Sequence, residues 1–291
     1  LEKVTQAALP PGSTFKLVVA TAGVLNPVFP PERAIPTGGS FTLGGHTFGN
    51  WRVMGPMNLP QSIAWSNDVY FYKLATALGP GPVIDAARAL GVGAPSGIDL
   101  PGESPGYLGT PESVAAAGGH WYAGSTVILG IGQGYLQTTP LQNLRWTAGI
   151  ATGQLVTPRL GLATGTDQSA FTALPTPSPS PLPFADRLGP IREGMRGAVT
   201  GGTAAALSGL PIPVAGKTGT AQDGSLPDGS YDNWLSVVAP ADNPELAVTA
   251  VVQGSGKGGN NVKGVVAGAI QYYADHRDEV LSTGPMQQPA G

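Results

Sequence analysis

The order of the predicted elements constrains the fold more than any other feature of this 291-residue sequence. Helical patterns dominate the first two thirds, and three strand-like runs follow one another in the last third, at 214–221, 234–239 and 246–253. Turn residues separate these runs, and a last helical pattern covers 262–280. The sequence therefore predicts an α+β fold, with an antiparallel sheet flanked by helices from both ends of the chain.

The other periodic segments place helices between glycine- and proline-rich loops. Further helices are predicted at 13–25, 61–78, 83–90, 140–150, 191–199 and 204–207. The stretch 26–60 is predicted to hold short strands and turns, and 95–135 is predicted to be loop-rich. One domain is predicted over 1–281, with an exposed proline-rich insertion at 174–183 and a disordered tail at 282–291.

Composition excludes several classes of function. Charged residues make up only 11% of the chain, the net charge is −3, and no basic block is present, which argues against nucleic acid as a partner. The absence of cysteine removes disulfides, thiolate catalysis and cysteine-based metal sites. The histidines His46, His120 and His276 show no ligand spacing, so neither a metal nor another cofactor is predicted. No apolar run reaches the roughly 20 residues that a membrane helix needs.

The string Ser13-Thr14-Phe15-Lys16 follows Pro-Gly and opens an apolar run, which predicts a buried helix that begins near Ser13. Residues three apart share a helix face, so the Ser13 hydroxyl and the Lys16 amine should project together. A serine needs a neighbouring base to act as a nucleophile, and burial lowers the pKa of a lysine, which makes a neutral amine available. Ser-x-x-Lys also occurs by chance, but a lysine one turn into a buried helix requires an explanation.

Two further strings complete a candidate site. Ser66-Asn67-Asp68 stands at or just before the start of a helical run, where an ordinary N-cap would explain the same residue types. Lys217-Thr218-Gly219-Thr220 lies in the first strand-like run, and the two-residue period puts Lys217 on one face and both threonines on the other. Gly219 could let a ligand backbone approach, and a hydroxyl with an ammonium suits a carboxylate, although an edge-protecting surface lysine is the alternative. In this order the three strings indicate serine acyl transfer.

Together the strings resemble the motifs of penicillin-binding protein transpeptidases. The likeness runs from about residue 6 to residue 275 and is closer to the class B enzymes, especially the elongation-type, penicillin-binding protein 2-like group. It is carried by Ser-Asn-Asp-Val-Tyr-Phe-Tyr at 66–72, Gly-Ile-Asp-Leu-Pro-Gly-Glu at 97–103, Ile-Gly-Gln-Gly-Tyr-Leu-Gln-Thr-Thr-Pro-Leu-Gln at 131–142 and Ala-Gly-Lys-Thr-Gly-Thr-Ala at 215–221. The resemblance implies the serine β-lactamase-like fold, with an all-helical part beside the sheet.

The same resemblance implies a role for each motif position. Ser13 would be the acylated nucleophile, Lys16 its general base, and Ser66 a proton shuttle. Lys217 and Thr218, with Asp68, Gly219 and Thr220, would bind substrate, and the Ser13 and Thr220 backbone N–H groups would form the oxyanion hole. Asp68 stands where most of the wider superfamily has Asn, which favours the elongation-type group.

The resemblance also implies substrates, partners and a place in the cell. The substrates would be peptidoglycan stem peptides ending in D-Ala-D-Ala, and β-lactam antibiotics would acylate the same serine. A membrane glycan polymerase of the shape-determining type would be the protein partner. The domain would work outside the cytoplasmic membrane, tethered by an N-terminal helix, and this sequence would lack that helix, the upstream pedestal and the first strands of the sheet.

Two other functions fit the same motifs. A β-lactamase or a D,D-carboxypeptidase would share them and differ in the fate of the acyl-enzyme, and a class A β-lactamase needs a glutamate to activate the deacylating water. Glu103 and Glu112 lie between the second and third motifs, but within strings that match the transpeptidases. A non-catalytic β-lactam sensor or scaffold is the other alternative, and the intact set of serines and lysines argues against a degenerate scaffold.

Overall fold

The computed structural model describes residues 2–165, 171–227, 229–256 and 259–282, which form a small antiparallel sheet beside a largely helical part. The helices are α1 (Lys3–Gln6), α2 (Lys16–Leu25), α3 (Leu59–Ala64), α4 (Asp68–Leu78), α5 (Pro80–Ala89), α6 (Pro111–Ala116), α7 (Ala123–Leu129), α8 (Pro140–Thr152), α9 (Gly189–Thr200), α10 (Asn260–Asp275) and α11 (Arg277–Ser282). The strands are β1 (Gly38–Leu43), β2 (His46–Met54), β3 (Tyr107–Leu108), β4 (Leu136–Gln137), β5 (Gln154–Leu155), β6 (Ala163–Gly165), β7 (Phe171–Ala173), β8 (Ser180–Pro181), β9 (Ala215–Gln222), β10 (Tyr231–Ala239) and β11 (Leu246–Ser255). Short 3-10 turns cover Gly12–Phe15, Ala185–Arg187 and Ala205–Leu207.

The three strands predicted in the last third form one antiparallel sheet in the order β11-β10-β9. Their alternation gives the sheet two different faces. Leu235 and Val237 of β10 share a buried apolar cluster with Val262 and Val266 of α10. On the other face, Lys217 of β9 lies opposite Ser236 of β10. The α+β fold class is confirmed, and one face of the sheet is left for polar chemistry.

Helix α2 lies at the centre of the helical part. Every residue from Lys16 to Val24 is buried, and its apolar side chains belong to the largest hydrophobic cluster, together with those of α4 and α5. Gly23 faces the Leu74 side chain, and an added Cβ would lie 3.0 Å from it, so glycine permits close helix packing. The predicted buried helix is therefore present. It begins with the 3-10 turn Gly12–Phe15, which we call the serine turn.

Three segments differ from the sequence predictions. The helical pattern at 61–78 is two helices, α3 and α4, because the chain turns sharply between Trp65 and Asn67. The last helical pattern is likewise broken at His276, where α10 ends and α11 follows. The loop-rich stretch 95–135 contains helices α6 and α7, each only one to two turns long, whose short periodicity is hard to detect.

The hairpin of β1 and β2 provides the short strands expected in 26–60, with Gly44 and Gly45 at its tip in positive φ. The proline-rich stretch is exposed from 174 to 181, Ser180–Pro181 pairs with β5, and Leu182 is buried. Of the tail at 282–291, positions 283–291 lie outside the described residues.

None of the helices in the described ranges combines the length and the apolar character needed to cross a membrane.

Candidate active site

The serine turn is held from two sides by close backbone contacts. Gly12 has φ of 52°, and a Cβ there would lie 2.9 Å from the Thr220 carbonyl oxygen, so the turn rests directly on strand β9. From the other side, the Gly12 N–H donates to the Gly132 carbonyl at 2.9 Å. A Cβ on Gly132 would lie 2.1 Å from the Gly12 oxygen. Ser13 is thereby fixed at the start of α2, partly exposed, between two segments distant in sequence.

A conformation rare for a serine shapes the second motif. Ser66 has φ of 54°, the single positive value among the non-glycine residues that the structure describes. Asn67 then caps α4, because its side chain accepts a hydrogen bond from the Tyr70 N–H at 3.0 Å. The N-cap interpretation of this string is thus correct for Asn67. The left-handed turn directs both the carbonyl and the hydroxyl of Ser66 towards Lys16.

Lys16 joins the first two motifs. Its side chain is fully buried, and its ammonium donates to the Ser66 carbonyl at 2.9 Å, to the Ser66 hydroxyl at 3.2 Å and to the Asp68 carboxylate at 2.5 Å. No hydrogen bond joins Lys16 to the Ser13 hydroxyl within the described part of the chain. Lys16 therefore lies one turn from Ser13 along the chain while its amine is bonded to Ser66 and Asp68.

Burial lowers the pKa of Lys16 below its usual value, and the Asp68 carboxylate opposes this shift through its charge and its hydrogen bond. These two influences make Lys16 an amine that can lose its proton more easily than an exposed lysine, with a carboxylate in place to stabilise the charged form. A side chain with these properties can accept and return a proton.

A second buried lysine lies on the sheet. Lys217 is fully buried, and its ammonium donates to the Thr218 carbonyl at 3.0 Å. Burial, followed by repulsion from Lys16, holds the pKa of Lys217 well below its usual value, and the charge of Asp68 opposes the shift. Since Coulomb interactions couple Lys217 to both Lys16 and Asp68, the three motifs form one electrostatic unit.

The remaining residues of the third motif divide between the two faces of β9, as the two-residue period predicts. The Thr218 hydroxyl forms a 2.7 Å hydrogen bond with the Thr203 hydroxyl, and the exposed Thr220 hydroxyl donates to Asn233 at 3.3 Å. Gly219 is on the buried face, where a Cβ would lie 3.0 Å from atoms of the protein itself. The missing side chain of Gly219 thus makes room for the serine turn and not for a ligand. A role of Gly219 in substrate binding stays a prediction, and it would involve only the main chain of this residue.

Sequence reasoning missed a buried hydrogen-bond chain that supports the serine turn. Asn143 of α8 donates to the Thr14 hydroxyl at 2.8 Å, and its side-chain oxygen accepts from the Ser236 hydroxyl at 2.9 Å. The Thr249 hydroxyl donates in turn to Ser236 at 2.9 Å. All of these groups except Thr249 are fully buried. This chain fixes the serine turn relative to two strands of the sheet, because a buried polar group is costly unless it is paired.

The hairpin makes a second contact that the sequence did not reveal. Asn50 of β2 donates to the Asn67 side chain at 3.2 Å, and its oxygen accepts from the Asp68 N–H at 3.1 Å. This pair of bonds holds the second motif against β2. No group of three or more His, Asp or Glu side chains arranged to bind a metal ion occurs among the described residues.

Comparison with known proteins connects this geometry to a family. Residues 1–271 match the profile of the penicillin binding protein transpeptidase domain. The peptidoglycan D,D-transpeptidase MrdA of Haemophilus influenzae is 30% identical over 94% of this chain and 46% of its own length. A structure of penicillin-binding protein PBP2 with MreC from Helicobacter pylori has a TM-score of 0.84 and 30% identity over 94% of this chain and 51% of that one.

A further similar structure has a TM-score of 0.78 and 30% identity over 94% of this chain and 47% of that one. Its description is "Structural coordination of polymerization and crosslinking by a peptidoglycan synthase complex". The chain spans about half the length of the curated relatives it matches. The predicted resemblance to penicillin-binding protein 2-like members and the predicted β-lactamase-like fold are both confirmed. The chain belongs to the penicillin-binding protein transpeptidase family.

Proposed function

We propose that this chain is a serine D,D-transpeptidase domain that cross-links peptidoglycan stem peptides through an acyl-enzyme on Ser13, and that β-lactams acylate the same residue. The observation that carries this proposal is the contact of the buried Lys16 amine with Ser66 and Asp68, one turn from Ser13. The name and function of the matched relatives support it.

In the first half of the reaction, the Ser13 oxygen attacks the carbonyl between the two terminal D-Ala residues, and its proton passes to the neutral amine of Lys16. The backbone N–H groups of Ser13 and Thr220 hold the resulting oxyanion. The tetrahedral intermediate then breaks its C–N bond. The leaving nitrogen takes a proton from Lys16 through the Ser66 hydroxyl, D-Ala departs, and an ester on Ser13 remains.

In the second half, an amine from a neighbouring stem attacks the ester carbonyl. Ser66 and Lys16 accept the proton of that amine, and the Ser13 oxygen recovers a proton as it leaves, so the new amide is the cross-link. Lys217 and the threonines of β9 bind the carboxylate of the terminal D-Ala or of a penicillin. Because burial lowers the pKa of Lys217, a carboxylate is the natural group to restore its charge.

The positions of the two glutamates argue against the β-lactamase alternative. The Glu103 carboxylate accepts hydrogen bonds from the Ser96 and Gly97 N–H groups, at 2.8 and 3.2 Å, and so is occupied in stabilising a loop. Glu112 lies in the first turn of α6 beside its N-cap, Thr110. No hydrogen bond or ion pair joins either glutamate to Ser13, Lys16 or Ser66 within the described residues, which disfavours a role for them in activating a deacylating water.

The whole protein is proposed to act on the outer face of the cytoplasmic membrane, where peptidoglycan is assembled, together with a membrane glycan polymerase of the shape-determining type. Two similar structures support this assignment by their descriptions, one with MreC and one as a peptidoglycan synthase complex.

Mass spectrometry of the intact chain after incubation with benzylpenicillin tests the proposal. One molecule of penicillin should add to Ser13 and persist, and the Ser13→Ala variant should gain no mass. Ser208→Ala, at the end of a 3-10 turn away from the motifs, is the matched control and should be labelled like the wild type.

The outcomes separate the alternatives. Rapid destruction of penicillin without a lasting adduct would indicate a β-lactamase. A stable adduct without D-Ala release from a stem pentapeptide would indicate a sensor. Release of D-Ala with water but never with an added amine acceptor would indicate a carboxypeptidase.

A further inference from the structure

An arginine that lies over two indole rings is found beside the second motif. The Arg52 guanidinium carbon is 4.7 Å from the centre of the Trp51 ring and 4.2 Å from that of the Trp65 ring. The Trp51 indole N–H donates to the Trp65 carbonyl at 3.1 Å, which ties β2 to the end of α3. Cation–π contacts with two rings restrict the movement of a guanidinium and leave its N–H donors available.

Those donors have no partner within the described part of the chain. Arg52 and Trp51 are both exposed, and no described carboxylate lies within ion-pair distance of Arg52. Asp68 is near in sequence to Trp65, but it is bonded to Lys16 at 2.5 Å. An exposed guanidinium whose movement is already restricted loses less entropy when it binds a planar anion, and two parallel N–H groups match the two oxygens of a carboxylate.

The position of Arg52 relates it to the proposed reaction. Trp65 directly precedes Ser66, and Asn50, two residues before Arg52, bonds to Asp68. The guanidinium therefore lies on the β2 side of the site, whereas Lys217, proposed above to bind the terminal carboxylate, lies on β9. A ligand that reached both would carry two separate anionic groups.

We propose that Arg52, which lies over the rings of Trp51 and Trp65, binds a second carboxylate of the stem peptide, one that is not the carboxylate of the terminal D-Ala. This inference rests on the proposed function and adds a specificity determinant to it. The carboxylate belongs either to the body of the donor stem or to the acceptor stem. Both sources present the same chemistry to the guanidinium.

Titration calorimetry in the Ser13→Ala background, which cannot be acylated, tests this inference. Two series of synthetic peptides are needed, donor stems that end in D-Ala-D-Ala and acceptor stems that lack the D-Ala pair and carry a free side-chain amine. Each series compares two peptides that differ at one carboxylate, which is not that of the terminal D-Ala: in one peptide it is free, and in the other it is a carboxamide. In one series the peptide with the free carboxylate should bind about fivefold more tightly than its carboxamide. In the Arg52→Gln variant the ratio of the two dissociation constants should be about one.

Arg88→Gln is the matched control. Arg88 is an exposed arginine on α5, so this variant removes the same charge from another surface and should preserve the ratio. Because the readout is a ratio of two ligands on one variant, a general loss of stability cancels, and a melting curve checks that Arg52→Gln is folded.

The series that shows the preference identifies the source as donor or acceptor. Equal binding of carboxylate and carboxamide in both series, or a preference that survives Arg52→Gln, overturns the inference. These outcomes leave the proposed function intact, since penicillin labelling of the Ser13 chain tests it separately. If that labelling fails while the Arg52-dependent ratio appears, the proposed reaction is wrong and the carboxylate site stands.

Discussion

Lys16 on α2 and Lys217 on β9 are both fully buried, yet their surroundings differ in one respect. Lys16 has a carboxylate partner within the protein, Asp68 at 2.5 Å. Among the described residues, Lys217 donates only to the Thr218 carbonyl, and Lys16 repels it. A buried lysine with a counter-ion is suited to exchange protons, whereas one without a counter-ion is suited to receive an anionic ligand. The difference teaches that the counter-ion, and not burial, separates the roles proposed for the two lysines.

Removal of the Lys16 amine should have the largest effect. Lys16→Met keeps much of the side-chain volume but abolishes the base, so the second-order rate of Ser13 acylation by benzylpenicillin should fall by about 10³-fold. Stopped-flow fluorescence or gel labelling with a fluorescent penicillin measures this rate. Lys73→Met is the control, at a half-buried lysine on α4 whose amine donates to the Pro36 carbonyl. A loss smaller than about tenfold would show that Lys16 is not the base.

Removal of the Lys217 amine should have a smaller effect, exerted on binding. Lys217→Met should lower the acylation rate by about 10²-fold, mainly through weaker binding of the ligand carboxylate. In the wild type, the bound carboxylate raises the lowered pKa of Lys217, so binding should take up a proton and weaken as the pH rises.

Calorimetry in two buffers with different ionisation enthalpies measures the number of protons taken up on binding. The uptake should disappear in Lys217→Met. Equal binding heats in both buffers for the wild type would mean that binding takes up no proton. That result would contradict the proposal that Lys217 becomes charged when it binds the ligand carboxylate.

Replacement of the counter-ion should make the two lysines more alike. Asp68→Asn removes the charge that raises the pKa of Lys16, so that pKa should fall further. The ascending limb of the acylation rate against pH, which follows loss of the Lys16 proton, should therefore move to lower pH. Asp85→Asn, at an exposed carboxylate on α5, should leave the profile in place. A shift to higher pH would refute the assigned sign.

A buried carboxylate extends the comparison to a charge of the opposite sign. Asp232 on β10 is fully buried, next to the Asp223 side chain and the Gly254 N–H. Burial, followed by the charge of Asp223, raises the pKa of Asp232 to about 6, and the Gly254 N–H and the charge of Lys3 oppose the shift. The folded state therefore holds this proton more tightly than the unfolded state does, so stability is lost as the pH rises from about 4 to about 6.

Asp232→Asn should remove that loss and raise the free energy of unfolding at pH 7 by about 1–3 kcal/mol. Denaturant titrations at pH 4 and pH 7 measure it, and the gain should be small at the lower pH. Equal gains at both pH values would show that the effect comes from hydrogen bonding and not from charge.

The burial of Lys16 was predictable from the sequence, because a lysine one turn into an apolar helix requires an explanation. For Lys217 the sequence left open a surface lysine at the edge of the sheet, and the structure shows that side chain fully buried. The turn at Ser66 was not identifiable, because the apolar spacing of Ile63 and Val69 continues the helical period across it and the positive φ leaves no mark on a serine.

The supporting residues were hidden for a different reason. The partners of Asn143 are 129 and 93 positions away, and single-sequence periodicity carries no information on pairs so distant. Nothing in the sequence distinguished Arg52, because its contact with Trp65 depends on the hairpin. The fold class and the three antiparallel strands followed from pattern, while the hairpin contacts and the hydrogen-bond chain required coordinates.

The glycine-to-glycine contact behind Ser13 extends the proposed site beyond its three motifs. Gly132 belongs to none of them, yet its main chain meets that of Gly12 with no space for even a methyl group. A substitution at Gly132 would displace the serine turn while every motif residue stayed unchanged. Under the proposed function, a backbone clash remote from the motifs would therefore alter sensitivity to β-lactams.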